Sequence, residues 1–142
     1  MPTFHFDRLF DVSEANDLRP RLEVMIRLLQ ARVSELRGQI ARILEVDPKA
    51  EALKLPQVLE RHPQLRAPSS SLAEAAQAIE SLGCFLKDID LGLVDFPYQS
   101  ESGEVVFLCW QSGEPGVLAW HPIDAGFDQR RPLPGSTKPL PN

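Results

Sequence analysis

The pattern of apolar positions divides the chain into a helical part and a strand part. In the first third, apolar side chains recur at alternating spacings of four and three residues, which matches the period of about 3.5 residues of a coiled-coil seam. Ser13 can serve as the N-cap, and Asp47-Pro48 stops the pattern, so a long helix ending near Val46 is predicted. The positions of this stripe, here called the seam, are Leu22, Ile26, Leu29, Val33, Leu36, Ile40 and Ile43.

A second, shorter helix is predicted after a proline-rich connection. Residues 47–70 contain four prolines, which is typical of a broken connection that holds one or two short helical turns. Ser71 and Glu74 then have the spacing of a capping box, ahead of an apolar stripe that ends at Gly83. This helix is too short to cover the whole seam, because the two helices rise equally per residue.

After Gly83 the spacing of apolar residues becomes that of strands. Four stretches separated by turn signals, at 84–88, 93–98, 105–110 and 117–121, predict an antiparallel meander. The third stretch is apolar on both faces, which is typical of a central strand covered on both sides. Pro115 and Gly116 suit the central positions of a type II turn. The polar, Pro-rich residues 130–142 predict an extended or disordered tail.

These elements predict an α+β fold in a single domain over residues 1–142, with a helical part at 12–82 and a sheet at 83–123. A net charge of -5 argues against wholesale nucleic-acid binding, which needs clustered excess Lys and Arg. Two cysteines without a CxxC neighbour fit neither a disulfide framework nor a four-ligand zinc site. The chain shows no leader-like start and no membrane span, so we expect a cytoplasmic protein.

Three stretches of the second half carry a family resemblance. They are "GCFLKDIDLGLVDFP" at 83–97, "VVFLCWQSGEPGVLAWH" at 105–121 and "AGFDQRRPL" at 125–133. The chain resembles an uncharacterised bacterial family, the domain of unknown function numbered 2203. The resemblance implies a helical N-terminal part followed by this strand region, and it implies no activity or cofactor.

The same third of the chain concentrates the side-chain types of acid–base, anion or metal chemistry. If the strand register permits, Asp95, Cys109 and His121 line one face, and an Asp, Cys and His set can bind a divalent metal. A register step of one residue would scatter them. The candidate ligand-binding residues are Lys87, Asp88, Asp95, Trp110, Glu114, Trp120, His121 and Arg130, of which Asp95 and His121 are the metal candidates.

Each candidate also has a structural interpretation. Asp88 and Asp90 precede Gly92 and can hydrogen-bond the backbone of a turn or bulge. Asp95 can form an ion pair with Lys87 or Arg130, and His121 before a proline can simply close its strand. The two tryptophans can be core aromatics stacked across neighbouring strands.

The seam also predicts a partner. No second stripe of equal length exists in the chain, and antiparallel pairing brings Glu23 near Arg37 of the other copy, so we predict an antiparallel homodimer through the first helix. The alternative is a monomer in which the sheet covers the seam.

Three functions follow from these features. The first is a dimeric binding or adaptor protein that holds a small ligand or partner peptide at the sheet. The second is a small metal-dependent hydrolase with Asp95 and His121 as ligands and Glu114 as general base. The third, which the overall charge disfavours, is nucleic-acid binding through the arginines of the first helix, namely Arg19, Arg21, Arg27, Arg32, Arg37 and Arg42.

Overall fold

The computed structural model describes residues 6–134 and confirms the α+β fold. The helices are α1 (Val12–Val46), α2 (Leu55–Arg61) and α3 (Arg66–Glu80), with short 3-10 turns at Pro48–Ala52, Pro63–Leu65 and Phe127–Gln129. The strands are β1 (Phe85–Asp88), β2 (Leu93–Gln99), β3 (Val105–Gln111), β4 (Ala119–His121) and β5 (Arg131–Pro132). Among the helices of residues 6–134, none carries an apolar stretch long enough to cross a bilayer.

Helix α1 runs the predicted length, but its N-cap is Asp11 and the prediction of Ser13 is wrong. The Asp11 carboxylate accepts a hydrogen bond from the Glu14 backbone N–H at 2.7 Å, and the Glu14 carboxylate accepts one from the Asp11 N–H at 3.0 Å. This reciprocal pair satisfies two backbone donors of the first turn. Ser13 therefore lies inside that turn.

Helix α3 begins at Arg66, five residues before the predicted capping box at Ser71 and Glu74, which is therefore wrong. Pro68 is tolerated in the first turn because the N–H groups there have no partner within the helix. The Ser71 hydroxyl instead accepts a hydrogen bond from the guanidinium of Arg32 on α1. Helix α3 packs along α1.

The sheet is an antiparallel meander in the order β1-β2-β3-β4-β5. Its fifth strand lies at the start of the segment predicted as a tail, where Arg131 is the register partner of Trp120; residues 135–142 of that tail lie outside the described residues. The tight turn after β3 ends at Glu114, whose N–H donates to the Gln111 carbonyl at 3.0 Å. Gly113 supplies the positive φ of +98° there, and Gly116 has no positive φ, so the predicted type II turn at 114–117 is wrong.

One face of the sheet packs against α1 and α3 to form the core. Val94, Phe96, Leu108 and Trp110 meet the seam residues and Ile79 there. Leu22, Ile26 and Leu29 are 0% exposed and Val33 is 8% exposed. The chain itself therefore covers these four seam positions, as in the monomeric alternative, and the argument that they need a second copy does not hold. The homodimer stays a prediction.

Candidate metal centre on the outer face of the sheet

The strand register brings three candidate ligands to the face of the sheet that points away from the helices. Asp95 on β2 is directly opposite Cys109 on β3, and Cys109 is opposite Ala119 on β4. His121 lies two residues beyond Ala119 and therefore on the same face. Because β3 is buried on both faces, a one-residue slip would place polar side chains against the helices. The register condition of the sequence prediction is thus met.

The three side chains are close together and shielded from solvent. One ligand-type atom of each, a carboxylate oxygen, the sulfur and a ring nitrogen, lies within 4.8 Å of the others. Asp95, Cys109 and His121 are 3%, 1% and 2% exposed. The His121 Nε2 atom is 3.1 Å from a carboxylate oxygen of Asp95. Among the described residues, this is the group of His, Cys, Asp and Glu side chains whose ligand-type atoms lie close enough together to hold one metal ion.

The backbone after β4 fixes the orientation of the His121 ring. Its Nδ1 atom is 2.8 Å from the Pro122 carbonyl oxygen, which can only accept, so Nδ1 carries a hydrogen. Nε2 is then the atom that faces Asp95 and Cys109. A histidine that ligates a metal commonly donates its other ring N–H to a backbone carbonyl in this way.

The protonation states of the cluster follow from its burial and its contacts. Burial disfavours the His121 imidazolium, but the hydrogen bonds to Asp95 and to the Pro122 carbonyl outweigh it, and the pKa of His121 is raised. Burial, reinforced by the nearby Asp95 carboxylate, raises the pKa of the Cys109 thiol to about 12. In the absence of a metal, Cys109 is therefore a neutral thiol. A bound cation would displace its proton.

A cavity of about 140 Å³ adjoins the cluster. Part of its wall comes from residues 122–130, the connection between β4 and β5, here called the covering loop. Of the loop residues in the lining, Ala125, Gly126 and Phe127 lie in a stretch that carries the family resemblance, but no apolar period placed them at the site, and Ile123 had no sequence signal. Phe107 was identifiable, because it lies two residues from Cys109 on β3 and so shares its face. The lining residues are Lys87, Leu93, Asp95, Phe107, Cys109, His121, Ile123, Ala125, Gly126 and Phe127.

Lys87 lies at the rim of this cavity, in the stretch of β1 where the register with β2 shifts between Leu86 and Asp88. Its Nζ atom is 4.9 Å from the centroid of the Phe107 ring and 5.5 Å from that of Phe85. Both distances are in the range of cation–π contacts. The ammonium group is close enough to His121 to oppose protonation of the ring.

Glu114 and Arg130 lie beside the site but do not line the cavity. A guanidinium nitrogen of Arg130 is 2.9 Å from a Glu114 carboxylate oxygen, and the two side chains are 5% and 12% exposed. The same oxygen accepts the Gln111 backbone N–H at 2.8 Å. A carboxylate held by two donors outside the cavity does not suit the predicted role of Glu114 as general base.

The other three candidates do not line this cavity, and Trp110 and Asp88 make the structural contacts that were the alternative for them. Trp110 is 0% exposed on the helix-facing side of β3, and its Nε1–H donates to the Glu114 carbonyl at 3.1 Å. Trp120 is half-buried and contacts the guanidinium of Arg131. Asp88 accepts the Leu91 N–H at 2.9 Å within a turn. The site therefore narrows to Lys87, Asp95, Cys109 and His121, of which Cys109 was weighed as a metal ligand but not included among the site residues.

Comparison with known proteins identifies a family but no activity. A family model described as an uncharacterized conserved protein (DUF2203) matches residues 8–133. Neither a curated protein nor a solved structure matches the chain. The chemistry of the site must therefore be inferred from its geometry.

Proposed function

The chain belongs to a family of uncharacterised conserved proteins, DUF2203, and from the geometry of its site we propose that it is a small metal-dependent hydrolase. Asp95, Cys109 and His121 would hold one divalent transition-metal ion. The observation that carries the proposal is the presence of three buried ligand atoms within 4.8 Å of one another beside a cavity.

The donor set favours zinc or a similar ion. A thiolate and an imidazole prefer such metals over magnesium and calcium, which take oxygen ligands. Catalytic zinc sites typically combine three protein ligands with one position for water or substrate. The Pro122 carbonyl already supports the ring of His121 as it would in a metal site. Bound there, the metal would supply a water that ionises near neutral pH.

The size of the cavity restricts what the site takes. Pockets for drug-sized ligands measure about 300–1,000 Å³, whereas this cavity measures about 140 Å³. A partner peptide does not fit such a space. The substrate of the proposed hydrolase is therefore a small molecule, or the small end of a larger one.

The binding-protein hypothesis keeps one observation in its favour. The hydrogen bond between Asp95 and His121 already satisfies both groups without a metal, so the same cavity can serve a metal-free binding protein. The homodimer and the cytoplasmic location remain proposals as well. The buried, unpaired thiols of Cys84 and Cys109 are compatible with a reducing compartment. Light scattering at several protein concentrations measures the oligomeric state.

The test of the metal proposal is elemental analysis of untagged protein purified without chelator, before and after incubation with zinc. We expect about one zinc per chain in the wild type and a large loss in Cys109→Ser and His121→Gln. The chain offers matched controls. Cys84→Ser removes the other buried thiol, and His62→Gln removes the other histidine that pairs with an aspartate, Asp47; both should retain zinc.

The opposite result is equally clear. A folded wild-type protein that takes up no zinc, iron or manganese would overturn the hydrolase proposal and leave the metal-free binding protein. Retention of zinc in both site variants would show that the ion lies elsewhere.

A further inference from the structure

Lys87 is a cation at the rim of the cavity, and none of the described carboxylates pairs with it. Among residues 6–134 no acidic side chain lies within ion-pair distance of its Nζ atom, whereas His121, Arg130 and five other basic residues have such partners. The Phe107 and Phe85 rings hold the ammonium group instead, at 4.9 and 5.5 Å. The residue is exposed, so its charge faces both the solvent and the cavity.

Lys87 brings a positive charge to a cavity whose lining is otherwise mostly apolar. An anion in the cavity would give the ammonium group the oppositely charged partner that none of the described carboxylates provides at ion-pair distance.

A count of formal charges shows what the metal-loaded cavity would carry. The two charges of a divalent ion would be cancelled by the Asp95 carboxylate and the Cys109 thiolate, and Lys87 would leave one positive charge. The metal-loaded site would therefore be complementary to a monoanion.

The remaining lining defines the rest of the ligand. Leu93, Phe107, Ile123 and Phe127 present apolar surface to the cavity. A volume of about 140 Å³ corresponds to roughly four or five water molecules at ~30 Å³ each. This leaves room for an acid of a few carbon atoms. An inorganic anion would leave the apolar walls without a contact.

We propose that the cavity binds a short aliphatic carboxylate, with the carboxylate group between Lys87 and the Asp95–Cys109–His121 cluster and the carbon chain against the apolar wall. As a statement about substrate, the inference rests on the proposed hydrolase function. The enzyme would then act on, or release, a short carboxylic acid. As a statement about binding, it rests on Lys87 and on the apolar wall, whose positions do not depend on a metal.

Cobalt-substituted protein separates the two proposals in one experiment. The appearance of visible cobalt bands reports the metal site, and a change in these bands on addition of propionate reports the anion. We expect a saturable change with propionate and none with propionamide, which is nearly isosteric and neutral. Lys87→Met should weaken propionate binding about tenfold to a hundredfold, since a bond to a charged group contributes about 1.5–3 kcal/mol.

Two control variants test whether the effect comes from the charge at position 87, and a spectroscopic control checks folding. Lys49→Met changes the net charge equally at a residue outside the cavity lining and should leave propionate binding unchanged. Lys87→Arg keeps the charge and should restore most of the affinity. Circular dichroism checks that each variant is folded.

The outcomes are distinguishable. An absence of cobalt bands contradicts the metal proposal only, and the anion is then followed on metal-free protein by the NMR signals of the His121 ring. Equal propionate affinity in the wild type and in Lys87→Met overturns the role of Lys87. Tighter binding of chloride or phosphate than of propionate overturns the carboxylate class.

Discussion

Gly92 is the residue of the "GLVDFP" stretch at which a single added methyl group should be costly. Its φ is +67°, a region that L side chains rarely adopt, and a Cβ built there would lie 2.6 Å from the Ser112 Cβ and 3.4 Å from the Ile26 Cγ2. Ser112 is not free to retreat. Its N–H donates to the Gly92 carbonyl at 2.9 Å, and its hydroxyl donates to Glu23 on α1.

The expected loss of stability in Gly92→Ala has two parts. Placing alanine in a left-handed conformation costs about 1–2 kcal/mol. Forcing an extra carbon into a packed position costs typically about 1–3 kcal/mol, because neighbouring backbone must shift. The sum predicts a decrease of roughly 2–5 kcal/mol in the free energy of unfolding, a large fraction of the total for a domain of this size.

Urea unfolding of the variant is compared with that of Gly103→Ala. Gly103 has a φ of +87°, and a Cβ there would meet nothing within 4 Å, so this control carries the conformational cost without the steric one. We expect Gly103→Ala to lose about 1–2 kcal/mol. Equal losses in the two variants would refute the close approach of Gly92 to Ser112. They would also contradict the view that the contacts of Ser112 hold the turn before β2 in place.

Two further predictions concern α1. Leu29 is a seam position that is 0% exposed, and Leu29→Ala should lower the free energy of unfolding by about 2–5 kcal/mol. Leu28 is 56% exposed, and Leu28→Ala should change it by no more than about 0.5 kcal/mol. Similar losses in the two variants would contradict the burial of Leu29 in the core. Burial opposes ionisation of Glu23, but hydrogen bonds from Ser112, Gly113 and Arg27 lower its pKa below the ordinary 4.5. Its carboxylate therefore stabilises the fold above about pH 4.5 and ceases to do so as the pH falls through the lowered pKa. Glu23→Gln should lower the free energy of unfolding by about 1–3 kcal/mol at pH 7, and the difference between wild type and variant should shrink in acid. A difference that does not change with pH would contradict this role of the carboxylate.

The elements were largely predictable from the sequence because each produces its own local period. The seam from Leu22 to Ile43 specified α1, and the apolar alternation of residues 105–110 specified β3 as a strand covered on both faces. The helix starts were less certain, since Asp11 and Ser13 are both good N-caps and only Asp11 has an acidic residue three positions later. The seam is covered by residues far away in the chain, and no local sequence pattern specifies such contacts.

The site was predictable only up to its register. Alternation within each strand puts Asp95 on the same face as Leu93, and Cys109 on the same face as Phe107. How close Asp95 and Cys109 come to each other depends on the register between β2 and β3, which no local pattern specifies. The covering loop, with Ile123 and Phe127, has no period at all. Glu114 and Arg130 carry the same charges whether they are catalytic or paired with each other, so their identity alone could not separate the two roles.

The energetics of the Asp95–His121 pair favour a functional role over a stabilising one. A buried ion pair loses the hydration of both charges, and replacing one by well-packed apolar side chains is often neutral or stabilising. Here the pair lies on the outer face of β3, under a loop, whereas Trp110 and Leu108 on the other face belong to the main core. A charged pair that is buried outside the core, and that shares a cavity with Cys109 and Lys87, is better explained by something it binds than by the stability of the fold.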